Sequence, residues 1–464
     1  MKVLNKLKKD IYFKRVFFVT IISTFIFYFL AILKHYLLQS TAYDLGLFDQ
    51  WIWMTSQGIP SYSSMTGLHM LADHGAWTLY IASFFYKIKP NLNILFISQS
   101  VSLCFTTIPL YFLCKKKYLN GKISFLIILL WLLQPVVFNI NLFDFHPEVW
   151  AMPFIALYYC FETNENFIKS ILLTFIIMGT RDGLVLLIFG FGLEQLLKKK
   201  PTRFLTLISI SIIWFLLLNN WLYPLLNGDK GSVMALARYS KYGDTFREIL
   251  YTLLLKPNLV LTSINWGESL FYLLILFAPA FVFWKRISLF TLISAVPLII
   301  TNILSDNSAQ RDVIHQYSLP IALIIVIAVI NGISENKGEL GYEKKRFLWI
   351  LLCWFALAKP LFLDFSRLNS IEPAHEAFAE IPTSSRVIAA SYLVPHLSQR
   401  QFIKLLNSNN DINLDFKKYN TLLLNPLDPG WSSNSELQDN YLKLAREKNW
   451  KCKKWENGLE LCKK

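Results

Sequence analysis

Apolar runs of about twenty residues, the length that crosses a bilayer as a helix, recur along most of this chain with short polar stretches between them. In hydrocarbon no water satisfies backbone N–H and C=O groups, so runs of this kind commit the chain to transmembrane helices. Eleven stretches qualify: 16 to 37, 91 to 113, 123 to 140, 149 to 163, 168 to 180, 183 to 197, 203 to 223, 267 to 284, 287 to 304, 316 to 333 and 347 to 363. The fourth to sixth are short, and the apolar stretch 75 to 88 is expected to lie in the interface or re-enter it. Together they predict an all-α polytopic membrane domain over residues 1–363, with external loops at 38–90 and 224–266.

Basic residues fix the expected orientation, because short cytoplasmic loops are enriched in Lys and Arg. Lys6, Lys8, Lys9, Lys14 and Arg15 precede the first stretch, and Lys115 to Lys117 follow the second. Lys198 to Lys200, Lys285 with Arg286, and Lys344, Lys345 with Arg346 fall on the same side when the N-terminus is cytoplasmic. The formal charge of +15 is thus spent against an anionic inner leaflet, which excludes nucleic acid as a partner. The first stretch is long and no A-x-A-like site follows it, so it reads as a signal anchor in the cytoplasmic (inner) membrane.

Ionisable residues gather on the opposite, extracytoplasmic side. They are Asp44 and Asp49 in YDLGLFDQ, Asp73 and His74 in ADH, Asp144, His146 and Glu148 in DFHPE, Arg181 and Asp182 in TRDG, and Arg311, His315 and Tyr317 in RDVIHQYSLP. A charge at the bilayer centre costs roughly 2.5 to 3.5 kcal/mol, so groups collected at helix ends on one face are expected to line a polar site. Taken singly, Asp44 also reads as an N-cap of a helix running through Trp53. Pro147 disfavours a helical His146, which predicts Asp144 and His146 in extended chain, pointing the same way, with Glu148 entering the next helix. A divalent cation on Asp144 and His146 stays an open alternative to helix capping and loop hydrogen bonding. Arg181 has the fork that holds phosphate bidentately, although a neighbouring Arg-Asp pair also neutralises itself. Carboxylates, imidazoles and guanidiniums on a lipid-facing platform suit transfer from a phosphate-linked lipid donor.

After residue 363 the composition turns polar and carries Pro373, Pro382, Pro395, Pro426 and Pro429. Short apolar runs such as Val387 to Ala390 and Leu422 to Leu424 alternate with the helix-like Glu436 to Lys448, which predicts a small extracytoplasmic α/β domain over 364–464. His396 and Arg400 in SYLVPHLSQR either cap the site or belong to a packing module. Cys104, Cys114, Cys160 and Cys353 sit within or at the ends of apolar runs as small fillers. Cys452 and Cys462 flank a hairpin turning at Asn457-Gly458, a spacing that suits a cross-strand disulfide outside the cytosol.

YDLGLFDQWIW, ADH, NLFDFHPE, TRDG, the H-x-Y-x-x-P of His315, Tyr317 and Pro320, and SYLVPHLSQR together resemble an uncharacterised family of bacterial multi-spanning proteins, a domain of unknown function grouped with the GT-C fold glycosyltransferases. The resemblance runs from about Tyr43 to Arg400. Members often carry Lys-Glu-Asp where this chain has Thr180-Arg181-Asp182. The resemblance implies a polytopic enzyme that uses a polyprenyl-phosphate sugar, with a base in the first external loop, matched by Asp44 and secondarily by Asp49. The acceptor would be a glycan, lipid or protein hydroxyl in the cell envelope. Direct displacement with inversion would follow, Arg181 stabilising the departing phosphate with Arg311 or His315 as helpers. A transporter or lipid-linked sugar flippase is the alternative, but it should show paired broken helices in corresponding halves, and only TRDG interrupts a run. No Gly-rich phosphate loop, G-x-S-x-G elbow or H-E-x-x-H helix is present, which disfavours a nucleotide donor and hydrolase chemistry.

Overall fold

The computed structural model describes residues 10–163, 166–228, 234–336, 340–359, 363–409 and 411–464. Lys6, Lys8 and Lys9 of the first basic cluster, and residues 360–362 of the last expected span, lie outside them. Among the described residues, six helices are long and apolar enough to cross a membrane: Ile11–Tyr36, Asn93–Lys116, Gly121–Phe143, Pro201–Asn227, Trp266–Arg286 and Gln316–Glu335. Each of the other five expected stretches contains a helix of shorter reach. Ala151–Thr163 and Val185–Leu197 have 13 residues each. At 1.5 Å per residue that is about 20 Å, against roughly 30 Å of hydrocarbon. The eleven expected stretches thus appear as six long helices and several shorter ones, with the polar turns at DFHPE and TRDG setting off the short fourth to sixth. Stretch 75 to 88 holds a short apolar helix, Leu79–Ile88.

Burial orders the bundle. The apolar windows of Gln316–Glu335 and Gly121–Phe143 are 89% and 83% buried, so these helices form its centre. Those of Ile11–Tyr36 and Pro201–Asn227 are only 22% and 17% buried, and Phe17, Phe18, Phe25 and Phe29 point outward, as side chains facing lipid do. Polar residues inside the bundle have partners that mend interrupted backbone. Asn139 Nδ2 donates to the carbonyls of Val313 (2.9 Å) and Leu357 (3.1 Å), and its Oδ1 accepts from Lys359 N. Asn141 Nδ2 donates to Phe27 O, tying the central helix to the first span.

The region from Leu368 onward is an α/β unit around a five-stranded sheet of order β2-β1-β3-β5-β4, with β1 Val387–Ala389, β2 Ile403–Leu405, β3 Thr421–Leu424, β4 Lys451–Lys454 and β5 Glu460–Lys463. β1 runs parallel to β2 and β3, whereas β5 is antiparallel to β3 and β4. The expected hairpin is β4–β5. Cys452 and Cys462 face each other in its register and are joined by a disulfide.

This unit sits on the loop after the first long helix, residues 38–90, through buried contacts. Leu38 and Ala42 pack with Val387, Leu393, Val394 and Leu397 in one apolar cluster. Gln50 Nε2 donates to the carbonyls of Arg400 and Gln401, and Ser64 Oγ both accepts from Ile403 N and donates to Ile403 O. His396 stacks between Phe378 (4.9 Å) and His35 (3.9 Å). Arg400 is buried and caps the carbonyls of Leu397, Pro382 and Ser385, so both residues belong to packing at this seam.

Candidate active site

The site begins where the central helix stops. Gly121–Phe143 ends at Asp144, whose φ of 114° is rare for a residue with a side chain and breaks the helix sharply. Gln99 fixes this turn: its Nε2 donates to Asp144 O (2.9 Å) and its Oε1 accepts from His146 N (3.0 Å). His146 is extended and Pro147 opens a 3-10 turn, Pro147–Trp150, as the sequence predicts. Asp144 is not extended, which corrects the expectation that it and His146 simply project side by side. Phe145, between them, is buried among Phe48 and Trp150 of the first-loop core.

Both side chains then meet the first loop. Asp144 takes an ion pair from Lys34 (3.3 Å) and accepts from Thr41 N (2.7 Å). The Thr41 hydroxyl lies 2.6 Å from Asp44 Oδ2 and 3.1 Å from Asp144 Oδ2, so one hydroxyl spans the two carboxylates. His146 Nε2 lies 3.2 Å from Asp44 Oδ1. Asp44 stands in a one-turn π-helix, Ala42–Gly46, ahead of Leu47–Ser56; its oxygens meet the side chains of Thr41 and His146, so it does not act as the N-cap that the sequence also allowed. The Asp44 side chain is 27% exposed, against 2% for Asp144, 1% for His146 and 3% for Glu148. Asp44 is thus the carboxylate of this group that solvent or substrate reaches.

Electrostatics follow the contacts. Burial pushes the Asp44 carboxyl up, but the hydrogen bond and charge of His146, with Thr41 and Lys34, outweigh it and hold the group below the ordinary carboxylate value. His146 shifts the other way: burial favours the neutral ring, yet Asp44 and Glu148 draw its affinity for a proton above normal. Asp144 is raised by burial and by the neighbouring Asp44 charge, against the pull of Lys34.

A second group adjoins the first. Arg181, which leads from TRDG into the 3-10 turn Asp182–Leu184, forms an ion pair with Glu148. Burial raises Glu148, and the charges of Arg181 and His146 more than reverse it. Both Arg181 and Arg238 lie over the ring of Tyr317, at 5.4 and 5.2 Å. Asp73 pairs with His74 and feels both guanidiniums. The Phe48 ring stands between His74 (5.4 Å) and His146 (6.1 Å), joining the two groups. The TRDG turn is held by Thr78, whose N and Oγ1 both donate to Gly179 O; a Cβ at Gly179 would run into Trp77, so this close seat requires glycine.

Other expected residues are committed elsewhere. Asp182 accepts from Gly183 N and the Tyr223 hydroxyl. Asp49 is fully buried and accepts from Tyr86 (2.7 Å), Ser398 (2.5 Å) and Gln399 (3.2 Å), which makes it a strut between the first loop and the α/β unit. Arg311 is bound by Glu268 and the carbonyls of Asn302 and Ser305. His315 pairs with Asp312 (2.6 Å) and contacts the ring of Phe143, beside Asp144, edge-on at 4.3 Å. Among the described residues, three metal-ligand atoms lie within 4.8 Å of one another only at Cys452, Glu460 and Cys462, two of which form the disulfide. Asp144 and His146 thus gather no third ligand, and Lys34 already supplies the cation beside Asp144.

Lys34, Thr41 and Arg238 are the site residues the sequence reading missed. A signal existed for the two cations: both stand on the face away from the lysine clusters, where loops rarely keep basic residues without a partner.

Behind Glu148 and Arg181 opens a cavity of about 350 Å³. Its lining includes the apolar Leu184, Val185, Phe215, Phe246, Ile249 and Leu253 together with Glu148, Arg181, Arg238, Asn302, Gln310 and Tyr317. It is a mainly apolar slot whose lining includes two guanidiniums. Residues 34–461 match a family model described as "Predicted membrane protein (DUF2079)", which spans most of the chain.

The chain belongs to the DUF2079 family. No curated protein matches this DUF2079 protein in sequence. Solved structures do match its fold. ArnT from Cupriavidus metallidurans in the apo state aligns with a TM-score of 0.53 at 8% identity, over 94% of this chain and 97% of that one. The same protein bound to undecaprenyl phosphate aligns with a TM-score of 0.52 at 9% identity, over 97% of each. ArnT is a GT-C glycosyltransferase, so the DUF2079 protein shares the GT-C fold, and identity this low speaks to fold alone.

Proposed function

We propose that this protein is a membrane glycosyltransferase that moves a sugar from a polyprenyl-phosphate donor to an acceptor hydroxyl on the extracytoplasmic face. The observation that carries the reading is a division of labour around one ion pair. Asp44, beside His146, is the accessible carboxylate, and the guanidiniums of Arg181 and Arg238 line a mainly apolar slot together with Glu148. A polyprenyl chain suits the slot and its phosphate suits the pair Arg181 and Arg238. The bound undecaprenyl phosphate of the ArnT structure supports a lipid of this class.

In the proposed reaction Asp44 accepts the proton of the acceptor hydroxyl as that oxygen forms its bond to the anomeric carbon. The bond from that carbon to the phosphate oxygen breaks, and the electron pair leaves on the polyprenyl phosphate, where Arg181 and Arg238 stabilise it. Attack opposite the leaving group inverts the sugar carbon. Protonated His146 and Thr41 orient Asp44, and Lys34 keeps Asp144 from competing as a second free carboxylate. Membranes carrying Asp44→Asn, given a radiolabelled polyprenyl-phosphate sugar, should lose roughly 10²- to 10⁴-fold of turnover. Undiminished transfer by Asp44→Asn, or a product that retains the donor configuration, overturns the reading.

A further inference from the structure

Four large apolar side chains of the C-terminal region, Phe365, Leu368, Leu427 and Trp431, are each more than half exposed. Scattered exposed leucines are ordinary on a protein surface, but these four come from two segments tied to each other and to one place. Arg367 pairs with Asp428, which joins the first segment to the second, and donates to Leu38 O at 2.9 Å. Gln39 Nε2 donates to Asp364 O, and the Trp431 ring meets Tyr43 at 5.6 Å between centroids. Both segments therefore rest on residues 38–43, the chain that leaves the first long helix.

The depth of that place follows from the helix. From Arg15, beside Lys14 near its start, Ile11–Tyr36 climbs about 30 Å to Tyr36 at 1.5 Å per residue, the thickness of the hydrocarbon, so the chain beyond Tyr36 begins at the headgroups. The helix is mostly unburied, and Phe25, Phe29 and, at its end, Tyr36 are exposed. The Tyr36 ring lies 5.5 Å from His375 in Leu368–Ala379, the helix that Leu368 opens. Apolar surface thus runs on from the bilayer-facing side of the first helix to the base of the α/β unit. The far side of the unit is distinct: Leu38 and Ala42 are buried with Val387 and Ala389 on one face of the sheet, whereas Ile412–Lys418 packs with Ile388 and Leu422 on the other.

We infer that Phe365, Leu368, Leu427 and Trp431 form a docking surface for the bilayer itself, on the side where the α/β unit stands. Their side chains reach roughly 5 to 10 Å into the boundary between headgroups and acyl chains, the layer that an indole with an apolar body and one N–H donor prefers. Arg367 and Asp428, which stand between the two segments, neutralise each other and so bring no net charge into that layer. Lipid contact at this edge holds the α/β unit at a set height over the membrane domain and keeps Trp431 against Tyr43, the neighbour of Asp44. The inference does not depend on the transfer reading above, since it concerns where the unit rests and not what the site does.

The test labels full-length Leu427→Cys, Phe365→Cys and Leu414→Cys with the fluorophore NBD in phosphatidylcholine nanodiscs, with and without nitroxide-bearing phosphatidylcholine. Cys104, Cys114, Cys160 and Cys353 are buried and Cys452 is bonded to Cys462, so the label goes to the new thiol. Leu414, exposed on Ile412–Lys418 at the far face, is the control. Nitroxide lipid should remove about half of the emission at positions 427 and 365 and less than about a tenth at 414. Quenching at 427 and 365 no greater than at 414 overturns the docking surface. Shielding of 427 and 365 from aqueous iodide without quenching by the lipid overturns it too, because a second copy of the chain would then cover the patch. The two positions stand in different segments, so a fold defect in one variant leaves the other to decide.

Discussion

His146 Nε2 lies 3.2 Å from Asp44 Oδ1 although 102 residues of chain separate them. The contact joins the loop after the first long helix to the break after the central helix. It also sets opposite shifts in the two groups, so that both are charged over a shared pH range.

That range should appear in the pH dependence of transfer. The folded Asp44 sits below its ordinary 3.8 and His146 above its ordinary 6.5, so the pair is intact between those values. The stabilisation from charged His146 is complete below about 6.5 and is lost as pH rises through its higher folded value. In His146→Gln, Asp44 keeps its burial and loses its strongest compensation, and the acid limb of kcat/KM should move upward by about one pH unit or more. An acid limb unchanged by His146→Gln would show that the ion pair does not govern Asp44.

Removing Arg181 should destabilise the fold in addition to slowing transfer. Glu148 is 3% exposed, and its second oxygen, Oε2, has no hydrogen bond, so Arg181→Gln strands a buried charge at a cost of about 3 to 5 kcal/mol. Glu148→Gln in the same chain should recover much of that loss, read as thermal midpoints in detergent. Additive losses in the double variant would mean the two residues do not act as a pair.

Arg238 should behave differently. Its described partners are Gln310 at 3.4 Å and the Tyr317 ring, which leaves hydrogen-bonding capacity for a ligand. Arg238→Ala should weaken binding of polyprenyl phosphate about tenfold or more and shift the thermal midpoint little. Lipid affinity equal to wild type would remove Arg238 from the phosphate site.

Asp49 supplies a stability signature of the same sign as His146, in a more acidic window. Burial is the chief cause that raises its carboxyl from 3.8 to about 6, despite hydrogen bonds from Ser398, Tyr86 and Gln399. A raised acid favours folding while protonated, so stability should fall as pH rises from about 4 through 6 and level off above, by roughly 2 to 3 kcal/mol. Asp49→Asn should flatten that slope between about pH 4 and pH 6. An unchanged slope would assign the pH dependence to other groups.

The Cys452–Cys462 disulfide closes a short loop over the sheet edge, with a sequence separation of 10. Its removal should cost about 2 to 3 kcal/mol of the local stability of the α/β unit. Hydrogen exchange of β4 and β5 should accelerate in Cys452→Ser/Cys462→Ser to the level that reductant produces in wild type. Exchange unaffected by reductant would show that the hairpin is held by its ladder alone.

The sequence by itself determined the solvent of this protein and the surface of its site. Apolar runs dictate helices in a bilayer because backbone groups there have no other partner, and the same energetics keep Asp44, Asp144, His146, Glu148 and Arg181 at helix ends. The tail's short strands and its Cys452–Cys462 hairpin were legible for a similarly local reason, since short apolar runs and an Asn-Gly turn are properties of neighbouring residues. Distances between those helix ends were not legible. Only the tertiary structure decided that Asp44 meets His146 while Asp49 is buried under Ser398, though both stand in one eight-residue motif. It decided as well that Lys34, which reads as the tail of an apolar run, neutralises Asp144, and that Arg238 comes to share Tyr317 with Arg181. Pattern along a chain records which face each side chain must take, whereas pairing across a bundle depends on packing between segments far apart in sequence, which no local pattern encodes.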